Sequence, residues 1–196
     1  LVVRDSGNRE IQPGRPGYFE AAAYVDLIDK PARADRTQGD VHAAGNPHLH
    51  LDPRNVLKVG EALAARLAEL DPAAAEGDRA GFAAFAARWQ AAIPRWEAQA
   101  APLKGVAVLQ HHESFAYLLR WLGMKGGGTL EPKPGIEPTS GHLAALVARQ
   151  QASPARMVLR TPYQQPGPSE WIAARTGIAA VLLPYTVGGT PEARDL

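Results

Sequence analysis

Lys104-Gly105-Val106-Ala107-Val108-Leu109-Gln110-His111-His112-Glu113-Ser114-Phe115 is the stretch on which the fold of this chain turns. Its short apolar run, Val106 to Leu109, follows a glycine and reads as a buried strand. Residues 114–122 then read as a helix that ends near Gly123. The alternation recurs downstream. Met157-Val158-Leu159 and Ala179-Ala180-Val181-Leu182-Leu183 read as two more buried strands. Between and beside them, Thr139 or Ser140 caps a helix through 150, and Ser169 caps one through 175. Gly126-Gly127-Gly128 reads as a hinge or loop. Strands alternating with helices predict a parallel sheet with helices on both faces.

Upstream the texture differs. Asp52-Pro53 starts a helix, because Asp caps free N–H groups and Pro suits the first helical position. Val56, Leu57, Leu63, Leu67 and Leu70 follow at helical spacing. Asp71-Pro72 repeats the signal, and an Ala-rich helix is expected from 73 to 101, kinked or interrupted at Pro94. Phe82, Phe85 and Trp89 read as its packing face. Gln12-Pro13-Gly14-Arg15-Pro16-Gly17 is a double turn signal. Residues 18–28 hold one short strand or helix, and 30–45 is a polar loop. Leu1-Val2-Val3 reads as the tail of a strand, so the chain is expected to be a fragment. The division expected is 1–70 as the remainder of an N-terminal α/β lobe, 71–103 as a long linking helix and 104–196 as a C-terminal α/β lobe.

The 196 residues carry 21 Lys+Arg against 20 Asp+Glu, a net charge of +1. That balance argues against nucleic-acid binding by phosphate neutralisation. No apolar run is long enough to span a bilayer. The chain has no Cys, so disulfide frameworks, thiolate zinc sites and cysteine nucleophiles are excluded. Any metal site must be built from nitrogen and oxygen.

The six histidines cluster. His42, His48 and His50 lie close together, His111 and His112 are adjacent, and His142 stands alone. Neutral imidazole is the commonest metal ligand. In extended chain, His48, His50 and Asp52 would share a face. That spacing suggests a metal-dependent hydrolase of HxHxD type, but Pro53 stands where such enzymes carry a further His, and Asp52 is better used as a helix cap. His111 and His112 follow a buried strand, where α/β sheets bind ligands. Ser114 lacks a G-x-S-x-G elbow, and neither glycine run matches a nucleotide-binding loop.

Taken in order, these motifs resemble the periplasmic solute-binding proteins of zinc and manganese ABC transporters, in particular the zinc type. Gly45-Asn46-Pro47-His48-Leu49-His50-Leu51-Asp52-Pro53 resembles that family's NPHxWLDP segment, whose His binds metal; His50 departs from the aromatic residue usual there. His112-Glu113-Ser114-Phe115-Ala116-Tyr117-Leu118 resembles the H-x-S-F/W-x-Y-L segment, which carries another ligand. Leu130-Glu131-Pro132 resembles the loop after the next strand. Leu183-Pro184, Gly188-Gly189 and Arg194-Asp195-Leu196 resemble the last segment, where an Asp completes the site.

The resemblance implies two parallel-sheet lobes joined by one long rigid helix, with the N-terminal lobe incomplete in this chain. It implies a receptor that is not an enzyme. The metal ligands would be His48, His112 and Asp195, with His42 and His50 as secondary contacts and a further His upstream of Leu1. Two imidazoles and one carboxylate favour zinc, with donor distances of about 2.0–2.2 Å, over manganese, which prefers more oxygen. Protonation of the imidazoles should weaken binding below about pH 6. The implied partners are the zinc ion and an ABC transporter permease, the implied compartment is the periplasm, and a monomer is expected. A non-metal binding or adhesion module of similar fold is the other reading; metal content of the purified protein separates the two.

Overall fold

The computed structural model of the chain describes residues 2–30 and 44–195. His42 and nearly all of the expected polar loop lie outside them. The described residues fall into two compact units. One lies within Leu1–Leu27 and Asp52–Ala98, the other within Ile28–Leu51 and Gln99–Leu196.

In the first unit, Val2–Asp5 form one helical turn, α1, and not the end of a strand. Side chains hold the turn: Ser6 Oγ and Gln12 Nε2 each donate to the Val3 carbonyl at 2.7 Å. β-branched residues favour strands only where a neighbouring strand exists to pair with, and this unit has none among its described residues. Residues Ala21–Tyr24 make a short 3-10 turn. α2, Pro53–Leu70, begins as the sequence predicts, with Pro53 at its start and Asp52 Oδ1 accepting the Arg54 amide at 2.9 Å. α3, Ala75–Ala100, runs through Pro94 without ending there. Its aromatic stripe packs on α2. A Cβ on Gly60 would come within 3.1 Å of the Phe82 ring, and Trp89 Nε1 donates to the Pro53 carbonyl at 2.8 Å. The absent side chain at Gly60 is what lets the ring approach.

The second unit holds an all-parallel sheet of four strands in the order β2-β1-β3-β4. The strands are β1 (Ala107–Gln110), β2 (Lys125–Thr129), β3 (Met157–Arg160) and β4 (Ala179–Leu182). Helices α4 (Ala116–Leu122), α5 (Ser140–Arg149) and α6 (Pro166–Thr176) connect them. Side chains alternate across the sheet. Leu109 and Val158 face a core with Leu130, Leu143, Leu146 and Ile172. Val108 and Leu159 face another, with Phe115 and Leu119. Burial on both faces of β1 and β3 explains their near-continuous apolar runs, whereas β4, which the sequence predicts to be buried, is an edge strand left largely exposed.

Two further expectations give way in this unit. The glycine run is strand β2, paired with β1 at Ala107↔Lys125 and Val108↔Gly126. Backbone pairing needs no side chain, and a Cβ on Gly127 would lie 3.2 Å from the Val108 carbonyl oxygen. Ser169 is not the cap of α6 but a buried residue inside it, its Oγ donating to the Pro166 carbonyl at 2.8 Å. The helix starts earlier because Pro166 and Pro168 fall in its first turn, where no N–H is required.

Candidate metal centre

His112 follows β1 after one intervening residue, His111. The buried Gln110 closes the turn, its Oε1 accepting the Phe115 amide at 2.9 Å. His48 comes from the segment before α2 and lies in the same unit. The two rings meet edge to face, with centroids 5.5 Å apart. Two imidazoles far apart in sequence therefore converge at the C-terminal end of the sheet, where open α/β folds bind ligands.

Each ring is held from behind. Asn46 Oδ1 accepts both the His48 amide (3.0 Å) and His48 Nδ1–H (2.8 Å). The orientation of the Asn46 amide is fixed independently, because its Nδ2 donates to Asp29 Oδ2 (3.2 Å) and to the Glu113 carbonyl (3.1 Å). Asn46 is itself anchored: its N–H donates to the Ile28 carbonyl (2.8 Å), and its carbonyl accepts the Tyr117 hydroxyl (2.9 Å). His112 Nδ1–H donates to Glu131 Oε2 at 2.7 Å. With Nδ1 the proton-bearing nitrogen in both rings, Nε2 carries the lone pair, as a metal ligand requires.

His50 is engaged differently. Its Nε2–H donates to the Tyr185 carbonyl at 3.1 Å, and its ring meets the Tyr185 ring at 4.7 Å. Tyr185 also packs edge-on against His48 and Phe115. Burial, with Tyr163 adding to it, pushes its phenol up to about 12, so it stays neutral at any physiological pH. Asp195 is exposed, beyond a turn in which the Ala193 amide donates to the Thr190 carbonyl. Among the described residues, no set of three or more His, Asp or Glu side chains gathers in metal-holding geometry. Asp52, which the hydrolase reading needs as a ligand, is the cap of α2.

His111, next to His112 in sequence, is buried. It is 4% exposed, and its Nδ1 is a buried polar atom with no hydrogen-bond partner among the described residues. Burial holds its pKa below the ordinary histidine value, against the opposing pull of Glu131 and Glu137. His142 Nε2 donates to the Thr129 carbonyl at 2.9 Å, tying α5 to β2. The anchoring roles of Asn46, Glu131 and Tyr185 were not apparent from sequence, although Asn46 and Glu131 lie inside the motifs quoted above.

Known proteins resemble this chain over most of its length. The family model described as "Zinc-uptake complex component A periplasmic" matches residues 8–195. A crystal structure of ZnuA is 28% identical, with a TM-score of 0.66 over 77% of this chain and 60% of that one. A zinc-bound deletion mutant of ZnuA is 26% identical, with a TM-score of 0.67 over 84% and 60%. The SBP FpvC from Pseudomonas aeruginosa in complex with Mn2+ shares the fold, at 23% identity and a TM-score of 0.68 over 89% and 62%. The chain thus spans about 60% of the length of these solved relatives. No curated protein sequence matches it.

Proposed function

Because the chain belongs to the family of periplasmic zinc-uptake components, we propose that it is part of a receptor that captures zinc outside the cytoplasm and passes it to an ABC transporter permease. The observation that carries this reading is the convergence of His48 and His112, each turned by an acceptor behind Nδ1. The ion is cargo, so the site has to bind and release it without reacting. Nitrogen donors on neutral imidazoles suit that task for zinc, and favour it over manganese.

We assign the carboxylate role to Asp195, which lies in the segment that follows Tyr185. His42 and His50 are assigned secondary contacts. For His50 the supporting feature is Nδ1, the nitrogen left with the lone pair when Nε2–H binds the Tyr185 carbonyl.

Zinc titration of metal-free protein by calorimetry tests the reading. One binding event is expected, stronger than for manganese, and Asp195→Asn should weaken it. The reading is wrong if His48→Ala combined with His112→Ala binds zinc as the unmodified chain does.

A further inference from the structure

We propose that Glu131 is the positioning residue for His112: a carboxylate behind the imidazole that selects the coordinating nitrogen and strengthens it as a donor. The inference rests on the reading of His112 as a metal ligand. Its own support is the way Glu131 is held. The Glu131 amide donates to the His111 carbonyl (3.1 Å), and its carbonyl accepts the Thr129 hydroxyl (2.8 Å). Oε2, the oxygen that accepts His112 Nδ1–H, also accepts the Gly135 amide at 2.8 Å. Gly135 has φ +76°, a left-handed conformation that favours glycine. The side chain is 14% exposed. This carboxylate is therefore fixed from both ends of its own loop before any ion arrives.

The two imidazoles are consequently unequal. His48 leans on a neutral amide oxygen and His112 on a carboxylate. When an ion draws electron density from Nε2, the positive charge on the ring grows, and a carboxylate at Nδ1 offsets it better than an amide does. His112 is the stronger donor of the pair, and Glu131 is the reason.

The test uses the full chain with zinc as the probe. Glu131→Ala should bind zinc about 10- to 100-fold more weakly. Glu131→Gln, which keeps an uncharged acceptor at the same place, should recover part of the loss. Long-range 15N–1H spectra of the metal-free protein read the tautomer directly. His112 should carry its proton on Nδ1 in the parent and in Glu131→Gln, and a mixture should appear in Glu131→Ala. Gly135→Ala, which strains the loop and leaves the carboxylate intact, should shift the tautomer in the same direction by less. Circular dichroism checks folding, and Glu131→Gln and the parent spectrum decide the matter if Glu131→Ala does not fold. The inference is overturned if the parent His112 carries its proton on Nε2. It is also overturned if Glu131→Ala binds within about threefold of the parent, a difference under about 1 kcal/mol, while His112→Ala abolishes binding. If His112→Ala binds normally, the ligand reading fails and takes this inference with it.

Discussion

Asn46 shows how much of the centre depends on one uncharged side chain. It is buried, both of its side-chain polar atoms are used twice, and its backbone ties the His48 segment to Ile28 and Tyr117. Removing it leaves His48 without its orienting acceptor and leaves the carbonyl of Glu113 short of a donor. Asn46→Ala is therefore expected to weaken zinc binding by about 10- to 100-fold and to cost about 1–3 kcal/mol of stability. Calorimetry and urea denaturation read the two effects separately. Stability lost with zinc affinity unchanged would show that the His48 ring finds its orientation without Asn46. The histidines stood out in the sequence because such clusters are unusual. The acceptors behind them did not, because an Asn before a Pro or a Glu in a loop has a dozen ordinary uses, and only the fold brings each one to a particular Nδ1.

Among the elements, the caps of α2 and α5 and the apolar strands β1 and β3 were legible because their signals are local. Asp52-Pro53 specifies a helix start by its own chemistry, and the Val- and Leu-rich runs of β1 and β3 advertise burial on both faces. Strand β2 was not legible. Its sequence, Lys125-Gly126-Gly127-Gly128-Thr129, has no side chains to advertise a strand, and its place depends on the backbone of β1. The three glycines are also not equivalent. Gly126 faces open space, whereas a Cβ on Gly127 would press on the Val108 carbonyl at 3.2 Å. Gly126→Val should be neutral or stabilise by up to about 1 kcal/mol, since valine suits a strand and restricts the unfolded chain. Gly127→Val should destabilise by about 1–3 kcal/mol. Paired urea curves test the contrast, and equal effects would mean that β2 does not pack as described. The first turn, Val2–Asp5, and the start of α6 escaped for a related reason: side-chain hydrogen bonds to Val3 and prolines in a first turn outweighed propensity read one residue at a time.

For the molecule as a whole, the buried His111 makes stability depend on pH. Its folded-state pKa lies below the unfolded value of 6.5, with burial as the main cause. Above that value both states hold a neutral ring and the group contributes no pH dependence. As pH falls below it, the unfolded chain takes up a proton that the folded chain resists, so folding stability declines until the folded-state pKa is passed. Melting curves from pH 8 to 5 with chelator present should show a steeper fall in Tm for the parent than for His111→Leu. Parallel curves would mean that the ring is solvated when folded. A different consequence follows from the unit that carries both candidate imidazoles being discontinuous in sequence. Between the His48 segment and β1 the chain runs through the whole of α2 and α3. Closing so long a detour costs entropy before any contact repays it, and distant contacts of this kind form slowly. The two imidazoles are therefore expected to meet late in folding. An ion present during refolding has no half-built site to seize, so zinc should leave the refolding rate nearly unchanged and act by slowing unfolding. Its protection would then show as a longer lifetime of the finished fold.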